Sequence, residues 1–451
     1  MQGYAATSMR THIAGTGDMT LARLAHLLLA AAFLFYVLVG TAPFPSASLA
    51  DRVDGNPLDR LFVLGLAGLG VVVLLLHYRA LPSIILQGAG LWIIAGVAVL
   101  SVLWSAYPGL TLRRSIVLVC LTVAAAGVAA GIRDLRNAHT AFCYALAAAM
   151  ALNLAAVFLM PSLAMSDIGA KGWYSQKNVA GAVAMTAVLA HCTWLVAGRK
   201  SAGRWAIGLT MVAVSLAFLV LTRSKTSMGL TALALFLLAS FAIAARGGPL
   251  VALAGAFLAL CGLAGGLIVL LVNDFDLTPI MGLLIEDASF TGRDELWAFA
   301  NRVAMERPWL GHGYGAFWDV GIGGDPLLRM EPGSWLGDIE PGVINQAHNG
   351  YLELWIHLGL PLMLFAVFVV LALAVKGLLY CIIARSDPGI KAALAFLTIM
   401  PFIYLAHNFT EASLFMRGLF LNNIITLILF LLARIHELTR AQTHPSALLP
   451  E

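Results

Sequence analysis

The strongest constraint on this chain is a succession of long apolar runs. A helix needs about 20 apolar residues to cross a bilayer, and about twelve runs of roughly that length follow one another. They lie near 21–42, 61–77, 88–104, 115–132, 140–160, 178–197, 206–222, 227–245, 249–272, 351–375, 390–406 and 417–433. Only 11% of the residues are charged, against about 25% in soluble domains. The sequence therefore predicts an all-α integral membrane protein with about twelve transmembrane helices.

One long polar segment interrupts this pattern and divides the chain. Hydropathy is low between 273 and 350, a segment that contains many acidic, basic, Gly, Pro and Trp residues. A connection of this length is usually functional or disordered, and its aromatic residues argue against disorder. We expect N-terminal transmembrane helices in 1–272, a large loop at 273–350, C-terminal transmembrane helices in 351–433 and a tail at 434–451.

Two features of the loop predict local structure. Asp294 to Glu306 has the spacing of a short amphipathic helix, for which Thr291 is a suitable N-cap. Its apolar face would comprise Leu296, Phe299, Val303 and Ala304. The Gly311-x-Gly313-x-Gly315 repeat lacks the βαβ context of a dinucleotide site. We interpret it as a turn that needs glycine conformations.

The distribution of basic residues predicts the orientation. With both termini in the cytoplasm, most short basic connections lie inside, as the positive-inside rule expects. The first apolar run, preceded by Arg10 and Arg23, is then an uncleaved helix rather than a signal peptide. Several cations remain on the opposite side, and an anionic ligand there would explain them. The formal net charge of only +4 gives no reason to expect nucleic-acid binding.

Four polar segments fall on that outer side if the helices alternate in direction. They are 171–178, 222–227, 291–315 and 346–351.

The second segment holds two neighbouring cations, Arg223 and Lys225, between two apolar runs. Such charges are costly at membrane depth unless they are paired or hydrated. They either extend toward lipid phosphates or bind a lipid-linked phosphate, for which arginine offers two parallel donors.

The third and fourth segments contain the main candidates for chemistry. Arg293 precedes Asp294 and Glu295, so a local salt bridge is the alternative to ligand binding. His348 is either structural or a general base near neutral pH. Asn349 beside it is suited to orienting an imidazole or binding a sugar hydroxyl.

One pair of acidic residues has a spacing that is compatible with metal binding. Asp274 and Asp276 have the Asp-x-Asp spacing with which many glycosyltransferases hold a metal. Two acids at the end of a membrane helix are more often simply hydrated. No His/Cys cluster has zinc spacing and no phosphate-binding loop of the Gx4GK[ST] type is present. We therefore expect neither a metal nor another cofactor.

Taken in order, these motifs resemble the O-antigen ligase and Wzy-type polymerase family. The resemblance runs from about 90 to 430 and is most specific at 291–352. It is closest to the exopolysaccharide polymerase (ExoQ-like) branch. The segments that carry it are Gln176-Lys177-Asn178, Arg223-Ser224, Gly292-Arg293 with Trp297, Pro308-x-Leu310-Gly311-x-Gly313 and Ala347-His348-Asn349-x-Tyr351-Leu352.

The resemblance implies a GT-C-like membrane glycosyltransferase of the bacterial inner membrane with its large loop in the periplasm. The donor would be a glycan on undecaprenyl pyrophosphate, the acceptor a glycan or lipid, and a flippase and a chain-length regulator would be partners. The paired arginines of the family fall on Arg223 and Arg293, and its histidine falls on His348.

Further residues complete the expected site. Lys177 and Lys225 would add charge for the pyrophosphate, although many members have Arg-Thr where this chain has Arg-Ser-Lys-Thr. Asn178, Asn349 and Tyr314 would support the site.

The favoured function is polymerisation of lipid-linked repeat units of an exopolysaccharide or O-antigen. The first alternative is an O-antigen ligase that transfers the glycan to lipid A core or another acceptor. The second is a polysaccharide transporter or flippase, which would show interrupted helices in two related halves.

Overall fold

The computed structural model describes residues 2–39, 53, 55–196, 201–243, 293–383 and 388–443. Almost all regular structure in these residues is helical. The helices are α1 (Gln2–Leu38), α2 (Pro57–Leu76), α3 (Ala89–Leu100), α4 (Pro108–Gly131), α5 (Leu135–Leu159), α6 (Pro161–Ala164), α7 (Lys177–Val196), α8 (Ala202–Thr222), α9 (Lys225–Ile243), α10 (Arg293–Glu306), α11 (Gly350–Leu358), α12 (Leu360–Ile383), α13 (Pro388–His407), α14 (Phe420–Ala433) and α15 (Ile435–Thr443). Short 3-10 or π turns cover Tyr78–Ala80, Ser83–Gln87, Ser101–Leu103, Ile322–Gly324 and Pro326–Arg329.

One small sheet is present in the described part of the chain. Strand β1 (Met165–Ser166) pairs with β2 (Gly169–Ala170) in antiparallel register.

The prediction of an all-α membrane protein is confirmed. Among the described residues, nine helices are long and apolar enough to cross a membrane. A tenth span arises if Tyr78–Gln87 and Ala89–Leu103, which meet at 72°, count as one. Helix α14 is apolar but shorter. These elements coincide with eleven of the twelve apolar runs, and run 249–272 lies outside the described residues.

Local sequence explains where the spans begin and how closely they pack. Asn56 caps α2 by accepting a hydrogen bond from Leu58 N, with Pro57 in the first turn, a position that tolerates the missing N–H of proline. Helices α2 and α4 approach closely where Gly70 meets Gly127, and a Cβ on Gly127 would lie 2.9 Å from Gly70 Cα. Small residues permit such close contact between helices in lipid.

The span expected at 351–375 is present but shifted to Leu360–Ile382, and the apolar run that predicted it is not one helix. The structure divides it into α11 and α12 at Gly359, which has φ +85°. A Cβ at Gly359 would lie 2.1 Å from Trp309 O, and Leu360 N donates to Pro308 O. The backbone of the loop therefore occupies the space beside this break, and α11, with nine residues, is too short to cross a bilayer.

The amphipathic helix in the loop is confirmed as α10, and its predicted apolar face is buried. It packs in a second hydrophobic cluster, separate from the core of the bundle, with Phe317, Trp318 and Leu336 of the loop and Ile356 of α11. The expected cap Thr291, like Asp274 and Asp276, lies outside the described residues.

The glycine repeat forms the predicted turn. Gly311, Gly313 and Gly315 have φ of +69°, +102° and +65°. The turn lies on the end of α11, because His312 N donates to Ile356 O and Gly313 N donates to His357 O.

The loop covers one end of the helix bundle, which we call the loop end. There Trp104 Nε1 donates to Leu310 O, and Tyr174 OH donates to Leu38 O. At the other end Arg434 donates to Ala130 O and Lys376 donates to Ala433 O. The described parts of all four polar segments of the sequence therefore lie at the loop end.

Candidate functional site

Glu411, in the turn after α13, is the centre of a polar cluster at the loop end. Its side chain is only 8% exposed and receives an ion-pair contact from Arg293 Nη2 at 3.5 Å. Arg293 Nη1 also donates to Thr410 O at 2.9 Å. Arg293 thus binds the turn with two of its nitrogens, and a side-chain exposure of 26% leaves part of the guanidinium open to a ligand.

His348 approaches the same carboxylate from the other side. Its Nδ1 lies 3.5 Å from Glu411 Oε2, a charge contact slightly longer than an ordinary hydrogen bond. The imidazole is 31% exposed. A carboxylate next to Nδ1 favours the tautomer that carries its proton on Nδ1, which leaves Nε2 able to accept a proton.

The backbone holds His348 in an uncommon conformation. His348 has φ +50°, in the left-handed region that non-glycine residues rarely adopt. Asn349 follows as the N-cap of α11 and accepts from Tyr351 N and Leu352 N. Trp297 Nε1 of α10 donates to Ala347 O. Fixed neighbours on both sides therefore set the direction of the imidazole.

A close contact between α11 and the turn after α13 keeps the two parts of the site together. Gly350 N donates to Asn408 O at 2.8 Å, and a Cβ at Gly350 would lie 1.9 Å from Asn408 Oδ1. Asn408 also accepts from Ser413 N. Only glycine fits at position 350, so the distance between His348 and Glu411 depends on it.

The start of α7 contributes a third side chain to the cluster. Asn178 Nδ2 donates to Glu411 Oε1 at 2.6 Å, and Asn178 Oδ1 accepts from Ser224 Oγ at 3.2 Å. Thr410 Oγ1 donates to Thr226 Oγ1 at 3.3 Å. The turn at 222–227 is therefore hydrogen-bonded directly to the Glu411 cluster.

Two cations project from that turn. Arg223 ends α8 in the left-handed conformation, with φ +51°, and Lys225 begins α9. Both side chains are exposed. Their neighbours Ser224 and Thr226 make the hydrogen bonds to the cluster, so the two cations flank it.

The charges around Glu411 decide its ionisation. Burial favours the neutral acid, but His348, His407 and Arg293 outweigh burial and hold the pKa of Glu411 below its ordinary value. Glu411 is thus an anion at neutral pH, able to stabilise positive charge that develops on His348.

Two expected site residues lie outside this cluster. Tyr314 is buried, donates to Phe415 O and accepts from Arg417 N, so it joins the glycine turn to the segment before α14. Lys177 Nζ donates to Ile168 O at 3.2 Å.

Sequence reasoning missed Glu411. A signal was present, because Glu411 is the only acidic residue between 388 and 436, a stretch made largely of two apolar helices. Ionisable residues at membrane depth are costly and commonly functional.

The fold and the cluster define a multi-pass membrane protein with a cationic site at one end of its bundle. The family model described as O-antigen ligase matches residues 210–367, about a third of the chain. The resemblance to the O-antigen ligase and polymerase family is therefore confirmed over this segment, which includes Arg223, Arg293 and His348. Members are membrane glycosyltransferase-like enzymes, and the match suggests ligase or polymerase activity. No curated protein matches the chain.

Proposed function

We propose that this protein is a metal-independent glycosyltransferase that polymerises lipid-linked repeat units of an exopolysaccharide or O-antigen. The donor is a glycan on undecaprenyl pyrophosphate. The observation that carries the proposal is the meeting of Arg293, His348 and Glu411 beside the exposed Arg223. This arrangement combines cations for a leaving phosphate with a base for an acceptor hydroxyl.

The arginines act on the leaving group. As the bond from the anomeric carbon to the pyrophosphate oxygen breaks, its electron pair moves to that oxygen and negative charge grows there. Fixed cations directed at this charge stabilise the transition state more than the ground state. Arg223 and Arg293 have this role, with Lys225 and Lys177 adding charge nearby, so the transfer needs no divalent metal.

His348 acts on the acceptor. Its Nε2 takes the proton of the acceptor hydroxyl while the hydroxyl oxygen forms its bond to the anomeric carbon. Glu411 holds Nδ1 and stabilises the imidazolium that results. Because attack and departure occur on opposite faces, the anomeric configuration inverts.

The loop end faces the periplasm in this proposal, and both termini are cytoplasmic. Arg133, Arg204, Lys376 and Arg434 lie at the opposite end of the bundle, as the positive-inside rule expects for a cytoplasmic face. Gly323→Cys tests the orientation, because a Cβ there would have no atom within 4 Å. An impermeant thiol reagent should label intact spheroplasts. Labelling only after the inner membrane is broken would contradict the orientation, and the unsubstituted protein is the control.

A ligase is the second candidate, because the matched family model carries the description O-antigen ligase. The chemistry at the anomeric carbon is the same for both, and only the acceptor differs. A polymerase accepts another lipid-linked repeat unit, whereas a ligase needs a distinct acceptor such as lipid A core.

Reconstitution separates these possibilities. Purified protein in vesicles should convert lipid-linked repeat units alone into longer lipid-linked glycans, with release of undecaprenyl pyrophosphate and undiminished rate in EDTA. Product formed only after lipid A core is added would establish the ligase. Loss of turnover in EDTA with recovery in magnesium would refute metal independence.

A further inference from the structure

A second polar feature lies beside the Glu411 cluster at the loop end. Among the described residues, side chains from the bundle and the loop enclose a cavity of about 390 Å³. This volume falls within the usual range for small-molecule sites, about 300–1,000 Å³. The cavity lies against the first turns of α2 and α4 and against Leu419, which precedes α14; at such helix starts backbone N–H groups make the potential positive.

The cavity is lined by close sequence neighbours of the residues in the proposed transfer site. Gln346 and Ala412 line it, two residues before His348 and one residue after Glu411. Gln176, next to Lys177, also lines it. A chain of sugars that presents a hydroxyl to His348 would therefore extend directly into this space.

Of the four arginines that line the cavity, Arg114 and Arg417 differ most in how their donors are used. Arg114 is buried and donates to the carbonyl oxygens of Gly315, Trp318 and Asp319, so its role is to hold the loop. The guanidinium of Arg417, by contrast, makes no hydrogen bond or ion pair with any residue that the structure describes, although it lies against Gly315 and lines the cavity. A half-buried guanidinium with open donors is stabilised by an acceptor, and an oxygen anion is the best one.

The remaining lining suits a hydroxyl-rich ligand. Amide side chains of Asn56, Gln176, Asn345 and Gln346 offer both donors and acceptors. The carboxylate of Asp59 adds acceptors, and one of its oxygens is buried without a hydrogen-bond partner among the described residues. Sugar hydroxyls, which donate and accept, match this mixture.

We propose that this cavity binds the acceptor glycan and that Arg417 recognises an acidic group on it, such as the carboxylate of a uronic acid. This inference rests on the proposed function, since it assigns the cavity to the acceptor. The same guanidinium chemistry could serve the donor pyrophosphate, so the test has an arm for each source.

The experiment measures equilibrium binding to the purified full-length protein in detergent. The probes are trigalacturonate, the neutral trisaccharide maltotriose and inorganic pyrophosphate. The variants are Arg417→Gln and, as a matched control, Arg329→Gln, whose exposed side chain pairs with Glu306 within the loop. Wild-type protein should bind trigalacturonate at least about tenfold more tightly than maltotriose. Arg417→Gln should remove that preference and leave pyrophosphate binding unchanged, and Arg329→Gln should leave all three affinities unchanged.

Several outcomes would overturn the proposal. The proposal is overturned if the wild-type protein binds trigalacturonate no more tightly than maltotriose. This outcome does not depend on whether the Arg417→Gln variant folds. A preference that survives Arg417→Gln, or an equal weakening of both trisaccharides, would show that Arg417 does not read the acidic group. Loss of pyrophosphate binding alone would assign Arg417 to the donor. Binding can be measured without turnover, so a protein that transfers no glycan can still prefer trigalacturonate. That result would refute the proposed function but not this inference. A protein that polymerises glycan without preferring trigalacturonate would refute only this inference.

Discussion

Two histidine–glutamate pairs lie in or beside α11, and their surroundings differ. In the first pair, His348 Nδ1 is 3.5 Å from Glu411 Oε2. In the second, His357 Nε2 is 3.4 Å from Glu353 Oε1. The distances are nearly equal. The His348 side chain is 31% exposed, however, whereas that of His357 is 4% exposed.

This difference in exposure changes what each pair can do. Burial lowers the pKa of His357 and raises that of Glu353, so the enclosed pair favours its neutral forms. In the open pair, contacts with His348, His407 and Arg293 hold the pKa of Glu411 low despite burial. The open pair can accept a proton from a ligand. The enclosed Glu353 instead accepts hydrogen bonds from Trp318 Nε1 and Ala347 N, which is a structural task. Contact between histidine and carboxylate alone therefore does not identify a catalytic base.

A large effect is expected at Arg293, the cation beside the open pair. Arg293→Gln removes charge that should stabilise the leaving pyrophosphate, and we expect the transfer rate to fall about 10²–10³-fold. Initial rates with the lipid-linked donor provide the measurement. Arg329→Gln is the matched control and should retain the wild-type rate. Similar rates for both variants would remove Arg293 from the transition state.

The enclosed pair should affect stability instead. Glu353→Ala leaves two buried donors, Trp318 Nε1 and Ala347 N, without their acceptor and should lower the free energy of unfolding by about 2 kcal/mol or more. Glu353→Gln keeps an acceptor oxygen and should restore most of that loss. Thermal unfolding in detergent distinguishes the two. Equal stability of the alanine and wild-type proteins would refute the structural role.

Glu411 should act through His348 rather than on the substrate. Glu411→Gln keeps the shape of the side chain but removes its charge, so we expect kcat to fall about 10- to 100-fold. The KM for the donor should change little, because the arginines remain. A raised KM with unchanged kcat would instead indicate that Glu411 serves donor binding.

The smallest effect concerns acid stability. The folded pKa of Glu411 lies below its ordinary value of 4.5, so its ionised form stabilises the fold above that pH, and this contribution is lost as the pH falls through the folded pKa. Between pH 6 and pH 3, the free energy of unfolding of the wild type should fall by about 1 kcal/mol more than that of Glu411→Gln, which has no carboxylate at this position. The same acid dependence in both proteins would contradict the ion-pair interpretation.

The sequence was sufficient for the parts of the fold that have a short-range signal. Apolar runs predict the spans, helical spacing predicts α10, and the glycine repeat predicts the turn at 311–315. The break at Gly359 was missed because an apolar run continues on both sides of it. The positive φ of Gly359 and the approach of the Trp309 carbonyl make the glycine necessary, and neither can be read from hydropathy.

The candidate site likewise contains residues that the sequence identifies and residues that it does not. Arg293 and His348 stand in recognisable motifs, so the sequence alone identifies them as candidates. Glu411 stands in no motif, and its partner Asn178 is 233 residues away in the chain. Such a pairing depends on how α7 and α13 pack, which periodicity does not encode.

The central claim is that the open pair, and not the enclosed one, supplies the catalytic base. The most direct measurement compares His348→Gln with His357→Gln in the same transfer assay, with rates expressed per folded molecule. Glutamine keeps a polar side chain of similar length in both cases but cannot take a proton at neutral pH. We expect His348→Gln to lose about 10²–10⁴-fold in rate while still binding the donor, and His357→Gln to transfer glycan at close to the wild-type rate. A well-expressed His348→Gln protein that makes near-normal product would contradict the account.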